Sequence, residues 1–270
     1  MKLDTFFSKI YVINLYDKPE KWLKVKKQFD RKKINVSRFV AIDGRCMDQG
    51  DKACLEKLKT FEMIYNVKIP TKKSMKISEL VPASSLTIGT ILILRHMVKM
   101  KYPRILICED DIELNRNLTE RFTKGINSLK KAKKENWDLL YLGCGDRCGV
   151  QGISETKSKK INNLSQLSQY IDEEYYVQNA NDLRSLCDDC DKITPYISNT
   201  IHPGGTWCYA YSLKGARKVL KLIDNNAGNH IDQLVANQVE DGRLTAYSFD
   251  PPIVFHEKHT REGSSIPWLW

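Results

Sequence analysis

Apolar runs typical of buried strands alternate along this chain with segments of helical periodicity, and this alternation constrains its fold more than any other feature. Residues 10–15 form a β-branched apolar run typical of a buried strand. Trp22, Val25 and Phe29 follow at helical spacing, and residues 36–42 form a second strand-like run. Strand–helix–strand units of this kind build parallel sheets with helices on their faces. We therefore predict an α/β protein with a Rossmann-like, mostly parallel sheet flanked by helices.

The alternation continues downstream until a long segment interrupts it. Further strands are predicted at 104–108, 138–142, 206–211 and 245–255, and further helices at 85–101 and from residues 119, 212 and 229. The last strand is broken by Pro251-Pro252. Residues 145–200 are rich in Ser, Asn, Asp and Lys and show neither helical nor strand periodicity. A stretch of this kind and length is typical of a functional loop. We predict one domain over residues 1–270, with an irregular insertion at 145–200.

Composition and charge exclude several classes of protein. The 270 residues carry 43 Lys and Arg against 33 Asp and Glu, a net charge of +10 that suits an anionic partner. No nucleic-acid-binding motif accompanies this charge, so we expect no nucleic-acid partner. The best apolar run, at 91–94, is far too short for a membrane span. The N-terminus lacks a signal-peptide pattern, which predicts a cytoplasmic location, and nothing in the sequence indicates an oligomeric state.

The eight cysteines leave their own chemistry open. Spacings that allow a shared zinc site occur at four of them: Cys144, Cys148, Cys187 and Cys190. The same spacings allow free thiols or one local disulfide in a polar loop. Cys108 and Cys208 end apolar runs, where a reduced, buried thiol is the ordinary state.

Three adjacent carboxylates, Glu109, Asp110 and Asp111, directly follow the apolar run at 104–108. Strand alternation turns Glu109 and Asp111 to one side and Asp110 to the other. Two carboxylates on one side repel each other and lose hydration, and a divalent cation removes both costs. Oxygen ligands favour Mg²⁺ or Mn²⁺, and the carboxyl ends of strands are where open α/β sheets bind ligands. The sequence thus predicts a cation site that clamps a diphosphate, and the alternative is a solvated acidic turn.

Phosphate binding in this chain has no glycine loop to depend on. Neither the dinucleotide fingerprint nor the P-loop pattern is present, so phosphates would depend on the cation and on Lys or Arg. Asp43, at the end of the second strand-like run, can accept a ribose hydroxyl. These features favour an enzyme that uses a sugar nucleotide. A metal nuclease or phosphatase built on the same carboxylates is a further alternative, but it requires a second metal cluster.

Several blocks, in order over residues 9–266, resemble glycosyltransferase family 25, which includes lipopolysaccharide and collagen glycosyltransferases. The blocks are residues 11–15 with Lys21-Trp22, 39–44 (FVAIDG), 86–89 (LTIG), 106–112 (LICEDDI), 205–211 with Gly215-Ala216, 231–234 (IDQL), 252–256 and 264–266. The chain departs from the family pattern where the second glycine and the glutamate after residue 89 are missing, and where Ser265 replaces an aspartate.

The resemblance implies a GT-A fold and an inverting transfer from a nucleotide sugar, most often UDP-linked, to a hydroxyl acceptor. The sugar would be galactose or glucose, the acceptor hydroxylysine or a glycan, and the cofactor Mn²⁺ or Mg²⁺. The insertion at 145–200 would shape the acceptor site. A non-catalytic relative that keeps the fold and binds glycan or protein is the alternative reading.

The resemblance also suggests roles for individual residues. Asp111 and Glu109 would bind the cation, and a neutral His256 imidazole would complete its shell. Asp232 is the candidate general base, although an acid at the start of a helix also simply stabilises the helix dipole. The residues that would contact the nucleotide are Asn14, Asp43, Gly44, Glu109 and Asp110.

Overall fold

A computed structural model describes residues 1–41, 43, 56, 63, 81–145, 192–200, 203–223, 230–250 and 252–256 of the chain. Its helices and strands follow each other in the order α1 (Leu3–Phe6), β1 (Lys9–Leu15), α2 (Pro19–Arg31), β2 (Ser37–Ala41), α3 (Val81–Met100), β3 (Arg104–Cys108), β4 (Ile112–Leu114), α4 (Leu118–Lys131), β5 (Leu139–Gly145), β6 (Lys192–Thr194), β7 (Ile197–Asn199), β8 (Gly204–Ser212), α5 (Leu213–Ile223), α6 (Ile231–Glu240), β9 (Ala246–Phe249) and β10 (Val254–His256). None of these described helices is both long enough and apolar enough to cross a membrane.

The centre of the fold is an eight-stranded sheet of order β2-β1-β3-β8-β5-β9-β7-β6. The pairs β1–β2, β1–β3 and β5–β9 are parallel, whereas β8 is antiparallel to both β3 and β5. Following the pairings across the sheet, only β7 and β8 run against the other six strands. The prediction of a mostly parallel sheet flanked by helices is confirmed. The reversed β8 was not predicted, because an apolar run does not encode the direction of its strand.

Hydrophobic side chains cover both faces of this sheet and separate the helices into two groups. Ile105 and Ile107 of β3 join a cluster with residues of α3, α5 and α6. Leu106 and Cys108, the alternate residues of the same strand, join a second cluster with residues of α2 and α4. The side chains of β3 thus alternate between two buried faces, which explains why its sequence is continuously apolar. This double burial fixes where β3 ends and therefore where the acidic residues begin.

The predicted insertion at 145–200 ends earlier than expected. β6 and β7 occupy part of residues 192–200 and extend the sheet beyond β9. Each of these strands has three residues, too few for an alternating pattern to be read, yet Ile197 and Ser198 are fully buried. The prediction was therefore wrong for this stretch, while residues 146–191 lie outside the described part of the chain.

The predicted last strand at 245–255 is two strands in two different sheets. β9 is an interior strand of the large sheet, and β10 pairs antiparallel with β4 in a separate two-stranded sheet. The Ile253 backbone joins the two sheets, because its N–H donates to the Leu142 carbonyl (2.9 Å) and its carbonyl accepts from the Asn115 N–H (3.1 Å). Gly143 permits this approach, since a Cβ there would overlap the Val254 carbonyl oxygen. His256 is the last residue of β10.

Candidate functional site

Several strand ends meet at one edge of the large sheet. Because β1, β2 and β3 are parallel, their carboxyl ends lie at the same edge, and the antiparallel β8 begins there. The register that pairs Cys108 with Cys208 places Glu109 opposite Trp207. The carboxyl edge of an open α/β sheet is the usual ligand-binding position. The topology therefore collects residues that are far apart in the sequence.

The acidic residues form the short connection from β3 to β4. The Glu109 N–H donates to the Trp207 carbonyl (2.9 Å), and the Thr206 hydroxyl donates to Glu109 Oε1 (2.5 Å). These two bonds hold Glu109 against the start of β8. Asp111, immediately before β4, is only 8% exposed. The predicted site is therefore a partly enclosed cluster rather than a solvated turn.

The three predicted cation ligands lie together at this edge. One ligand atom each of Glu109, Asp111 and His256 falls within 4.8 Å of the others. His256 Nε2 is 3.3 Å from Asp111 Oδ1, and the His256 ring packs on the Trp207 ring with a centroid separation of 5.2 Å. The pairing of β10 with β4 positions the imidazole beside Asp111, because His256 is directly opposite Ile112, the next residue in the chain.

This donor set fits a hard divalent cation. Two carboxylates and one imidazole are ligands that Mn²⁺ accepts, and carboxylates suit Mg²⁺ as well. Asp111 Oδ1 is buried and accepts no hydrogen bond from any described residue. Burial, followed by the neighbouring Asp111 carboxylate, raises the pKa of Glu109 to about 8. A cation would stabilise both carboxylates in their charged form.

We expect Mn²⁺ to bind more tightly as the pH rises towards about 8. Below its pKa Glu109 holds a proton that the cation must displace, so affinity should fall by up to about tenfold per pH unit for one proton. Calorimetry in buffers of different ionisation enthalpy measures both the affinity and the released proton. Glu109→Gln is the control, because it removes the titrating group. An affinity that is constant between about pH 6 and 8 would contradict this assignment.

A hydrogen-bonded network fixes the third carboxylate, Asp110. The buried Asn14 side-chain amide donates to Asp110 Oδ2 (2.6 Å) and to the Lys18 carbonyl (2.8 Å). Its oxygen accepts from Arg38 Nε (2.8 Å), and Arg38 also donates to the Leu15 carbonyl (3.0 Å). Burial raises the pKa of Asp110 to about 6, while the Asn14 hydrogen bond lowers it. The network joins the ends of β1 and β2 to the acidic connection.

The remaining predicted residues are Asp43, Gly44 and Asp232, and the structure describes the first and the last of them. Asp43 is half-buried two positions after the end of β2, and Gly44 lies outside the described residues. Asp232 is half-buried in the first turn of α6, which packs against β8. Burial is the main cause of the raised pKa of Glu109, and the charge of Asp232 adds to it. Asp232 Oδ1 accepts from the Gln233 N–H at 2.8 Å.

Four of the described residues that contact the predicted site were not assigned a role from the sequence. Thr206 and Trp207 lie in one of the resembling blocks, so a signal for them existed. Lys21 also lies in such a block, and its ammonium is within 4 Å of Asp110 and Asp111. Arg38 carried no signal, because its contact with Asn14 depends on the pairing of β1 with β2.

The described cysteines are reduced, as predicted. Cys108 and Cys208 are buried free thiols whose sulfur atoms lie 3.1 Å apart on paired strands. They sit one residue behind the acidic cluster and face the second hydrophobic cluster. The side chains of the four cysteines considered for zinc lie outside the described part of the structure: Cys144, Cys148, Cys187 and Cys190.

Comparison with known proteins gives one family. A model of glycosyltransferase family 25 (LPS biosynthesis protein) matches residues 7–235 of the chain. No curated protein matches the chain. The matched range includes the carboxylates of residues 109–111 and Asp232, whereas β9 and β10, and with them His256, lie beyond it.

Proposed function

The chain belongs to glycosyltransferase family 25, and from this premise we propose that it is a metal-dependent, inverting enzyme that uses a UDP-sugar donor. One observation carries the proposal, namely the grouping of Glu109, Asp111 and His256 at the carboxyl edge of the sheet. We propose a GT-A-type arrangement with it, in which these strand ends face the donor. The sugar would be galactose or glucose, and the acceptor a hydroxyl of a glycan or of hydroxylysine.

Binding of the nucleotide is assigned to the edge formed by β1, β2 and β3. Asp43 would accept a ribose hydroxyl, as acids at this position of an α/β sheet do. Asn14 holds Asp110 by the 2.6 Å hydrogen bond, so Asp110 presents a fixed carboxylate to the donor. Preorganisation of this kind costs little ordering when the donor binds.

Cation binding is assigned to Glu109, Asp111 and His256. Thr206 orients Glu109 by its hydrogen bond, and the Trp207 ring packs on His256, so two of the three ligands are positioned from β8. When bound, the cation supplies positive charge for the diphosphate that leaves the sugar.

Activation of the acceptor is assigned to Asp232. Its carboxylate would take the proton of the acceptor hydroxyl while that oxygen bonds to the anomeric carbon and the bond from this carbon to the diphosphate oxygen breaks. Two observations support the role. Asp232 is half-buried in the first turn of α6, and its charge adds to the raised pKa of Glu109, which places it near the acidic residues.

A screen of nucleotide sugars with and without Mn²⁺ tests the proposed function. We expect UDP-galactose or UDP-glucose, only with Mn²⁺, to raise the melting temperature, because a ligand of the native state stabilises it by mass action. UDP release in the presence of an acceptor should require the same cation. Absence of any nucleotide-sugar shift with Mn²⁺ would refute the donor assignment, and binding without transfer would favour a non-catalytic relative.

A further inference from the structure

The Asn14 side-chain amide lies between one group that donates a hydrogen bond to it and two that accept one from it. Arg38 Nε donates to Asn14 Oδ1 at 2.8 Å. Asn14 Nδ2 donates to the Lys18 carbonyl at 2.8 Å and to Asp110 Oδ2 at 2.6 Å. Both hydrogens of the amide nitrogen are therefore used. Asn14 is only 1% exposed, so bulk water has little access to these bonds.

Two neighbours of fixed polarity determine which way this amide points. Turning an asparagine amide by 180° exchanges its oxygen and its nitrogen but hardly changes the shape of the side chain. A guanidinium can only donate, and a backbone carbonyl can only accept. Arg38 therefore requires the amide oxygen on its side, and the Lys18 carbonyl requires the nitrogen on the other. With both satisfied, the second amide hydrogen faces the Asp110 carboxylate.

Arg38 also holds the backbone from which this amide extends. It lies opposite Val12 in the register of β1 and β2, and its side chain runs along β1 towards the carboxyl end of that strand. Its second terminal nitrogen donates to the Leu15 carbonyl at 3.0 Å and to the Tyr16 carbonyl at 3.3 Å. The rigid, planar fork of one guanidinium thus fixes both the Asn14 amide and the end of its strand.

We propose that Arg38 is a positioning residue for the sugar donor, because it acts through Asn14 to hold the Asp110 carboxylate in the place where it contacts the nucleotide. This inference rests on the proposed function, which assigns Asp110 to the donor. A carboxylate that is fixed before the donor arrives removes an ordering cost from binding. None of the hydrogen bonds of Arg38 reaches a candidate cation ligand. Donor affinity should therefore depend on Arg38, whereas cation affinity should not.

The opposite edge of the sheet offers a matched control. Arg104 is the first residue of β3, and like Arg38 it is half-buried. Its Nε donates to the Phe6 carbonyl at 3.2 Å, and its guanidinium lies 3.9 Å from the centroid of the Phe6 ring. Arg104→Met therefore removes a strand arginine that also supports a neighbouring segment, without touching the network around Asn14.

The test is calorimetric binding of UDP, with Mn²⁺, to the full chain and to a double-mutant cycle of Arg38 and Asn14. Asn14→Ala should weaken UDP binding by about tenfold, the usual effect of losing a hydrogen bond to a charged group. Arg38→Met should weaken it by at least about threefold in the unmodified chain, but by less than about twofold in Asn14→Ala. Arg38→Lys, which still only donates, should restore most of the loss. Arg104→Met should leave UDP affinity unchanged.

Two further measurements distinguish positioning of the donor from support of the fold. In Arg38→Met the donor KM should rise, while kcat at saturating donor stays within about twofold of its value in the unmodified chain. Mn²⁺ affinity measured without UDP should stay equally constant. Arg38→Gln, checked by thermal unfolding, provides a second variant for the same cycle if Arg38→Met does not fold.

Unchanged UDP affinity in the folded Arg38 variants would overturn the inference. An equal loss with and without the Asn14 side chain would overturn it as well, because Arg38 would then act by another route. Either result leaves the proposed function standing as long as the unmodified chain binds UDP with Mn²⁺. If the unmodified chain does not bind UDP with Mn²⁺, the proposed function fails and the inference fails with it.

Discussion

Replacement of Asp111 by asparagine is expected to lower Mn²⁺ affinity and sugar transfer by at least about a hundredfold. Changes to residues that merely support metal ligands cost about 10- to 100-fold, and loss of a ligand charge should cost no less. The amide keeps the shape of the side chain but removes the charge that faces His256 and Lys21. It also removes the carboxylate that Lys21 and His256 share.

Glu113→Gln is the matched control for Asp111→Asn, because it removes a carboxylate two residues later that pairs with Lys24 and is not one of the candidate cation ligands. Calorimetric titration with Mn²⁺ and measurement of UDP release should separate the two variants clearly. Equal Mn²⁺ affinity in Asp111→Asn and the unmodified chain would refute the metal role of Asp111.

Replacement of Asp232 by asparagine is expected to reduce the transfer rate by about 10²- to 10⁴-fold and to leave UDP-sugar affinity within about twofold. This range is the usual contribution of a general base. Asparagine retains the acceptor oxygen that bonds the Gln233 N–H, so the first turn of α6 should persist. What it loses is the ability to take a proton from the acceptor hydroxyl.

The opposite end of the same helix supplies a comparison for Asp232. Asp241 follows the last residue of α6 and pairs with Arg243 in a largely exposed position. Asp241→Asn should therefore leave turnover unchanged, whereas Asp232→Asn should lower kcat with little effect on donor KM. Full turnover in Asp232→Asn would assign the base to another group.

The parts of the fold that were predictable are those with a long, one-sided or continuous apolar pattern. The predicted strand at 104–108 has the same bounds as β3, because every residue after Arg104 is buried between two layers of helices. The helical spacing of Trp22, Val25 and Phe29 likewise corresponds to α2, whose Val25 and Phe29 are buried. Local burial leaves a pattern that can be read before any contact is known.

The parts that were not predictable depend on pairing between distant segments. β4 and β10 have three residues each, and their register, which sets His256 opposite Ile112, joins residues more than a hundred positions apart. The direction of β8 is set by its two neighbours and not by its composition. Three-residue strands carry too few side chains for alternation to be distinguished from chance.

The candidate site also has a part that was predictable from the sequence and a part that was not. The acidic residues stood out because three carboxylates follow an apolar run, and the structure brings two of them together with His256. The network through Arg38 and the position of Lys21 depend on how β2 and α2 pack against the end of β1. The contact of Arg38 with Asn14 joins two neighbouring strands and leaves no spacing in the sequence, whereas Lys21 at least lies in one of the resembling blocks.

The two-stranded sheet of β4 and β10 gives the candidate cation ligands Glu109, Asp111 and His256 an order of assembly. His256 lies 145 positions after Asp111, and β9, which precedes it, is inserted between β5 and β7. A chain synthesised from its N-terminus exposes the carboxylates long before the imidazole leaves the ribosome. The three candidate ligands come together only once β10 has paired with β4, so binding of a cation by them would report that these two distant strands have met.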